Sequence, residues 1–183
     1  AIGDNAVRKS VVEMTQHAFT NIIHPSVIVS SLTTLGQGNV FFHRVVVQAE
    51  TRIGDHVILN TGAQVDHNCT IGNFVQLAPG TILCGNVEVG EGAFIGTGAI
   101  VIPGKKIGAW SIVGAGAVVI NDVPDGVVVV GGVVVCAGHR TPARPAKPTM
   151  GLAARKTGRG ILRLMAFQGF GEHAIDFYDG LEV

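Results

Sequence analysis

A parallel β-solenoid is the fold class that the sequence predicts, and two superimposed periods predict it. An aliphatic or aromatic residue recurs at every sixth position from Ile23 to Val119. A second period places a glycine directly after such a residue at every eighteenth position, from Gly36 to Gly108. Three hexads therefore form one coil, and residues eighteen apart stack about 4.8 Å from each other, the spacing of hydrogen-bonded strands. An antiparallel sandwich would not keep a six-residue period over such a length.

Residues 1–22 are predicted to be the end of an α/β unit. Asp4 or Asn5 can accept a hydrogen bond from a free backbone N–H, which favours a helix from there to about Gln16. The apolar residues of this segment fall at helical spacing: Val7, Val11, Met14. One strand and one helix cannot bury themselves, so we expect them to pack on the repeat domain or to belong to a larger module.

Residues 23–136 are assigned to the solenoid domain, with an apolar strand, Val127–Val135, that closes its end. Residues 137–183 are predicted to be a basic, Pro-rich tail. The apolar run Ile161–Phe167 is expected to form a short helix. For the tail as a whole, two interpretations stay open: a loosely ordered extension, or a basic patch that binds a phosphate.

Composition excludes several classes of function. Thirteen basic and thirteen acidic residues leave a net charge of zero, which argues against nucleic acid as a partner. No apolar run reaches the roughly 18 residues that span a bilayer, so membrane insertion is not expected. The three cysteines have neither disulfide nor CxxC spacing, and a reducing cytoplasm is the predicted location.

The candidate site lies around His67. The residue eighteen positions further on is Gly85, so the stacking rule places a glycine backbone beside the imidazole. A histidine can act as a general base and an exposed glycine N–H can stabilise an oxyanion, the two groups that acyl transfer requires. Asn60 precedes His67 by about one hexad. The alternative, a solvated histidine at a corner of the coil, stays open from spacing alone.

A metal site is not predicted. Zinc in such a protein would need a closely spaced pair of ligands and a third from elsewhere. His56 and His67 lie in different columns of the solenoid, and Cys69 falls at an inward position that is typical of the core.

The run Ile58–Gly72, followed by Leu77–Gly80, resembles the bacterial sugar acetyltransferases of the left-handed β-helix (hexapeptide-repeat) superfamily. Within it, the chain is similar to the nucleotide-amino-sugar N-acetyltransferases and the sialic acid O-acetyltransferase type. The segments Ile2–Asn5, with Arg8, and Ile23–Ser26 agree with this group. The resemblance implies an all-β, left-handed parallel β-helix that forms a homotrimer, with active sites in the clefts between subunits.

The resemblance also assigns roles in catalysis. His67 removes a proton from the sugar amine or hydroxyl, Asn60 helps to hold that nucleophile, and Gly85 offers its N–H to the tetrahedral oxyanion. Asn68 stands where the family has an acidic residue that tunes the histidine. An amide can orient an imidazole but cannot stabilise its charge as a carboxylate does. We therefore expect Asp66, or an acid of a neighbouring subunit, to serve instead.

Substrate contacts follow from the same resemblance. Acetyl-CoA is the implied co-substrate, without a metal, and its contacts carry over to Gln76, Thr97 and Ala115. Gln76 replaces a second histidine of the family. Gly3 matches a nucleotide-sugar contact, and residues 1–22 correspond to the C-terminal part of an α/β nucleotide-sugar-binding domain.

The sequence thus predicts an acetyl-CoA-dependent acetyltransferase that N-acetylates a nucleotide-linked amino sugar, with the sugar and its own subunits as partners. Two alternatives stay open. One is acetylation of a sugar hydroxyl, as in the sialic acid type. The other is a catalytically weak trimeric solenoid that serves as a scaffold.

Overall fold

The computed structural model describes residues 2–15, 17–131, 133–135, 153–157, 161–166 and 173–178. One helix, α1 (Asn5–Glu13), precedes a long series of strands that are mostly two residues long. In chain order these strands are β1 Ile22–Ile23, β2 Ile28–Val29, β3 Thr34–Leu35, β4 Val40–Phe41, β5 Val46–Val47, β6 Arg52–Ile53, β7 Ile58–Leu59, β8 Gln64–Val65, β9 Thr70–Ile71, β10 Gln76–Leu77, β11 Ile82–Leu83, β12 Glu88–Val89, β13 Phe94–Ile95, β14 Ile100–Val101, β15 Lys106–Ile107, β16 Ile112–Val113, β17 Val118–Val119, β18 Val128–Val130, β19 Val133–Val135, β20 Ala153–Thr157, β21 Ile161–Ala166 and β22 His173–Tyr178.

From β1 to β17, each strand pairs in parallel with the strand three places further along the chain. This pairing produces the three sheets of the prism. Face A has the order β1-β4-β7-β10-β13-β16-β18-β19, face B runs from β17 to β2, and face C from β15 to β3. Partners are eighteen residues apart, as in Gln76 with Phe94 and Glu88 with Lys106. The predicted left-handed parallel β-helix is confirmed, including the eighteen-residue coil.

The core fills the inside of this prism. The residue at every sixth position points inward, and Leu59, Leu77 and Ile95 are fully buried. A second inward position in each hexad is small and equally buried, as at Ala63 and Ala93. Small and large side chains thus alternate along the chain and fill a narrow triangular section with mainly aliphatic groups, to which Phe41 is an aromatic exception.

The three corners of the prism depend on left-handed backbone. At each corner one residue has a φ near +60°, and these residues stack in columns eighteen apart. The column between faces C and A, the C–A corner, comprises Gly38, His56, Phe74, Gly92 and Trp110. The A–B corner has Arg44, Gly62, Gly80, Gly98 and Gly116, and the B–C corner has Glu50, Asn68, Asn86 and Gly104.

Helix α1 begins where it was predicted but ends earlier, and it packs on the prism with its polar side. Asp4 is the N-cap and accepts a hydrogen bond from the Val7 N–H at 2.9 Å, whereas the helix ends at Glu13 rather than near Gln16. The apolar residues that fall at helical spacing are exposed: Val7, Val11 and Met14, the last at 77%. The buried residues of α1 are Asn5 and Arg8, because the surface beneath them is a row of backbone carbonyls that polar side chains satisfy.

The C-terminal end of the prism also differs from the expectation. The predicted single strand Val127–Val135 is a hairpin, in which β18 pairs in parallel with β16 and antiparallel with β19. Gly131, with a φ of +57°, permits the reversal. The antiparallel strand covers the last β-helix edge of face A.

The chain divides into two compact units, Ala1–Ala137 and Gly138–Val183. In the second unit, β20, β21 and β22 form an antiparallel sheet. The helix predicted at Ile161–Phe167 is wrong, because β21 lies between two strands that supply its backbone hydrogen bonds. The proline-rich linker and the basic phosphate-binding patch predicted for the tail lie outside the described residues and side chains. No helix within the described ranges is long and apolar enough to cross a bilayer.

Candidate active site

His67 lies at the B–C corner, at the position directly before the left-handed residue Asn68. Its side chain is exposed and covers the backbone of Gly85, which is buried beneath it. A Cβ atom on Gly85 would lie 2.7 Å from both Nε2 and Cε1 of the imidazole. The contact predicted from the eighteen-residue offset is therefore present, and only a glycine allows the ring to lie so close.

In the part of the chain that the structure describes, the Gly85 N–H donates no backbone hydrogen bond, whereas its carbonyl accepts one from Gly104 N–H at 3.0 Å. The corner thus joins a free N–H donor to an imidazole.

The imidazole is held by Asn68. His67 Nδ1 lies 2.8 Å from Asn68 Oδ1, and Asn68 Nδ2 donates to Glu50 Oε2 at 2.6 Å. Glu50 stands one coil before Asn68 in the same column. Sequence reasoning missed this residue, although subtracting eighteen from 68 would have found it.

Asp66 does not take the place that was expected for it. Its Oδ1 accepts a hydrogen bond from the backbone N–H of His67 at 2.8 Å and leaves the ring to Asn68. The carboxylate therefore fixes the corner backbone, and Glu50 is the acid that connects with the imidazole.

A shallow groove borders the corner on face B. It has a volume of about 210 Å³, and its polar lining comprises Gln48, Gln64 and Asp66, with Cys84 at its end. Since Cys84 precedes Gly85, this groove leads to the backbone beneath the His67 ring.

A second set of predicted residues lies elsewhere in the protomer. Asn60 follows β7 of face A, Gln76 is in β10 of the same face, and Thr97 and Ala115 precede the left-handed glycines of the A–B corner. The Oε1 atom of Gln76 is buried and has no hydrogen-bond partner among the described residues. Face B separates this set from His67, so the structure does not bring the two sets together within one chain.

Gly3 lies in the exposed segment that precedes the N-cap of α1, and no atom comes within 4 Å of the position of a Cβ atom there. Helix α1 itself is held at the C–A corner by Arg8 and Asn5. Gly3 thus precedes a helix that is held at the C–A corner, whereas His67 lies at the B–C corner, and both corners border face C.

His56 is buried at the C–A corner. It is 6% exposed, stacks on Phe74 with 5.2 Å between ring centroids, and meets the ring of Phe19 edge-on. Burial lowers the pKa of the imidazole; Asp55 opposes this shift and the Arg8 charge adds to it. This histidine is part of the packing at the C–A corner.

The two described cysteines are unpaired thiols. Cys69 is fully buried in the core, as predicted, and burial raises the pKa of its thiol. Its Sγ lies 3.2 Å from the carbonyl oxygen of Cys84. Across the described residues, no three His, Cys, Asp or Glu side chains cluster in a way that could hold a metal ion.

Comparison with known proteins agrees with this geometry. Residues 68–103 match the protein family described as bacterial transferase hexapeptide (six repeats). A search of the curated proteins finds no match to the chain.

Three solved structures are similar over most of the chain. PerB from Caulobacter crescentus, crystallised with CoA and GDP-perosamine, is 45% identical, with a TM-score of 0.73 over 75% of this chain and 68% of PerB. The acetyltransferase domain of PglB from Neisseria gonorrhoeae is 38% identical, with a TM-score of 0.72 over 75% of this chain and 68% of that domain. WeeI from Acinetobacter baumannii is 31% identical, with a TM-score of 0.69 over 73% of this chain and 67% of WeeI.

Proposed function

Because this chain belongs to the family of left-handed β-helix sugar N-acetyltransferases, we propose that it transfers the acetyl group of acetyl-CoA to the amino group of a nucleotide-linked sugar. The observation that carries the proposal is the contact between the His67 ring and Gly85. The similar PerB structure holds CoA and GDP-perosamine, which supports an amino sugar as the acceptor rather than a sugar hydroxyl.

In the proposed reaction, the sugar amine attacks the carbonyl carbon of the thioester, and His67 Nε2 accepts the proton that the nitrogen loses. The carbonyl oxygen becomes an oxyanion, which the Gly85 N–H stabilises. Collapse of this intermediate breaks the C–S bond, and the departing thiolate takes up the proton from the imidazole. The products are the N-acetylated sugar and free CoA.

Asn60 is proposed to hold the amino sugar, and Gly3 to contact its nucleotide as the last part of a nucleotide-sugar-binding domain. Acetyl-CoA is proposed to contact Gln76, Thr97 and Ala115. The unpartnered Gln76 Oε1 supports this assignment, because a buried acceptor without a donor is costly and a bound ligand can supply one. Each of these roles rests on the resemblance and on the placement of the residue.

We propose a homotrimer in which a second protomer completes the site. The outward residues of faces A and B are mainly apolar, and Ile22 and Ile28 are 64% and 65% exposed. Those of face C are exposed and polar or charged: Thr34, Arg52, Thr70, Glu88, Lys106. Two apolar faces on one prism suit a closed ring of identical subunits. The free thiols of Cys69 and Cys84 suit work in the reducing cytoplasm.

The proposal is tested with acetyl-CoA and GDP-perosamine as the probe substrates. We expect purified protein to bind acetyl-CoA in calorimetry, to release CoA thiol when the sugar is added, and to sediment at three times its 19.0 kDa chain mass. His67→Ala should keep acetyl-CoA binding and lower kcat at least about a hundredfold, as expected for loss of a general base. A protein that does not bind acetyl-CoA would be a scaffold, and an active His67→Ala variant would disprove the mechanism.

A further inference from the structure

Three side chains form a hydrogen-bonded series at the B–C corner. We infer that Glu50 is a positioning residue for the reaction, which acts on His67 through the amide of Asn68. The inference rests on the proposed function, since it presumes that His67 is the base. Its basis is the pair of contacts between Nδ1 and Asn68 Oδ1 at 2.8 Å and between Asn68 Nδ2 and Glu50 Oε2 at 2.6 Å.

The carboxylate decides which way the amide points. An ionised carboxylate only accepts hydrogen bonds, so it binds the Nδ2 end of Asn68. The Oδ1 end then faces His67, and because an amide oxygen only accepts, His67 Nδ1 must carry the proton. Nε2 is consequently left with its lone pair beside Gly85, where a base is needed. A carboxylate two groups away thereby selects the reactive tautomer.

The coil holds this series in place. Glu50 and Asn68 both have left-handed backbone, with φ of +59° and +58°, and the Asn68 N–H donates to the Ala49 carbonyl at 3.0 Å. Asparagine tolerates this conformation better than most residues. The corner column therefore fixes the amide and the carboxylate one coil apart, within reach of a single hydrogen bond.

Other charges near the corner are engaged differently. Asp66 binds the His67 backbone N–H, and Arg52 lines the same shallow groove of face C as Glu50 and Asn68. Within the described residues, Glu50 takes part in no ion pair, so its carboxylate stays available to the Asn68 amide.

Exchanging the carboxylate of Glu50 with the amide of Asn68, first singly and then together, tests the inference. In Glu50→Gln, the new amide can accept from Asn68 or donate to it, so the Asn68 orientation and the His67 tautomer are no longer fixed. We expect kcat to fall about tenfold, within the range for general-base catalysis, with the KM for acetyl-CoA unchanged. In Asn68→Asp, the new carboxylate still accepts from Nδ1 and can stabilise the imidazolium, but its repulsion by the Glu50 carboxylate offsets part of this gain. In the double variant, the introduced glutamine can donate to the introduced aspartate, which again accepts from Nδ1, and the kcat lost in Glu50→Gln should return.

A second readout reports the tautomer directly. The ¹⁵N shifts of histidine-labelled protein distinguish the two ring nitrogens, and His67→Ala assigns the signal. We expect the Nδ1–H form in the wild type and in the double variant, and a mixture in Glu50→Gln. Glu88→Gln, which removes an exposed face C carboxylate paired with Lys106, is the charge-matched control.

The outcomes separate this inference from the proposed function. An active wild type and an inactive His67→Ala variant would support His67 as the base. If Glu50→Gln then has the kcat and the tautomer of the wild type, only the role of Glu50 is overturned. A double variant that is no more active than Glu50→Gln would overturn it as well. An inactive wild type would instead contradict the proposed function.

Discussion

Two histidines occupy neighbouring places in the hexad pattern and have opposite environments. His56 stands at the left-handed position of the C–A corner, where its ring is buried between Phe19 and Phe74. His67 stands one place earlier in its hexad, at the B–C corner, with an exposed ring over Gly85. The two environments differ because α1 and Phe19 cover the C–A corner, whereas the ring of His67 stays exposed at the B–C corner.

The side chains around the two corners also have different roles. At the C–A corner, Arg8 donates to the carbonyls of His56 and Phe74 at 3.0 and 2.7 Å, and Asn5 continues the row by donating to Gly92. These contacts hold α1 on the prism. At the B–C corner, the groups that surround His67 orient the ring without covering it. Substitutions at the C–A corner should therefore lower the stability of the protein, whereas substitutions at the B–C corner should lower its activity.

The largest effect is expected from Arg8→Ala at the C–A corner. Arg8 is 7% exposed, and burial lowers its pKa to about 10, so the guanidinium stays charged at neutral pH. Its removal leaves two buried carbonyls without their donor, at a cost of about 3 kcal/mol. Thermal melts at fixed protein concentration should show a large fall in Tm.

Ser10→Ala, on the exposed side of the same helix, is the matched control and should leave Tm nearly unchanged. An Arg8→Ala variant as stable as this control would show that α1 contributes little to the prism.

The eighteen-residue column could be predicted from the sequence because the coil repeats without insertion. Stacking depends only on residue count, and this count alone placed Gly85 beside His67. The same rule would have paired Asn68 with Glu50. Both contacts of this corner, His67 with Gly85 and Asn68 with Glu50, could thus be predicted from the eighteen-residue offset.

The position of α1 could not be predicted in this way. Val7, Val11 and Met14 fall at helical spacing, but all three are exposed, so apolar periodicity does not identify the side of the helix that packs on the prism. The surface that receives the helix is a row of carbonyls from the corner column, and no hydropathy pattern reports backbone acceptors. For the same reason, the repeat could not predict the burial of His56, because this burial depends on α1 and Phe19.

A smaller effect is expected from Gly85→Ala at the B–C corner, and it should appear in activity only. The backbone of Gly85 is not left-handed, so alanine adds no strain there, but its Cβ would lie 2.7 Å from the His67 ring. The ring must move away from the N–H, and kcat should fall about tenfold through misplacement of the base. Tm should stay close to that of the wild type, because the ring is free to move into solvent.

A double variant shows whether the loss passes through the ring. If the added methyl group acts by displacing His67, Gly85→Ala should cost little further activity in a His67→Ala background. Additive losses would mean that the methyl group obstructs the substrate instead.

The smallest effect is expected from the titration of His56. Because its pKa is lowered in the folded protein, the unfolded chain binds the proton more readily. The contribution of the neutral ring to stability is therefore fully present above the unfolded pKa of about 6.5, and it is lost as the pH decreases from there towards the lower folded value.

His56→Phe removes the titrating group and keeps an aromatic ring at this position. Its column neighbour, Phe74, is a phenylalanine with the same left-handed backbone. We expect a smaller fall in Tm between pH 7 and pH 5 than in the wild type. Equal slopes for His56→Phe and the wild type would mean that the buried ring is protonated as readily as in the unfolded chain, and the contrast between the two corners would then lie in their neighbours rather than in their histidines.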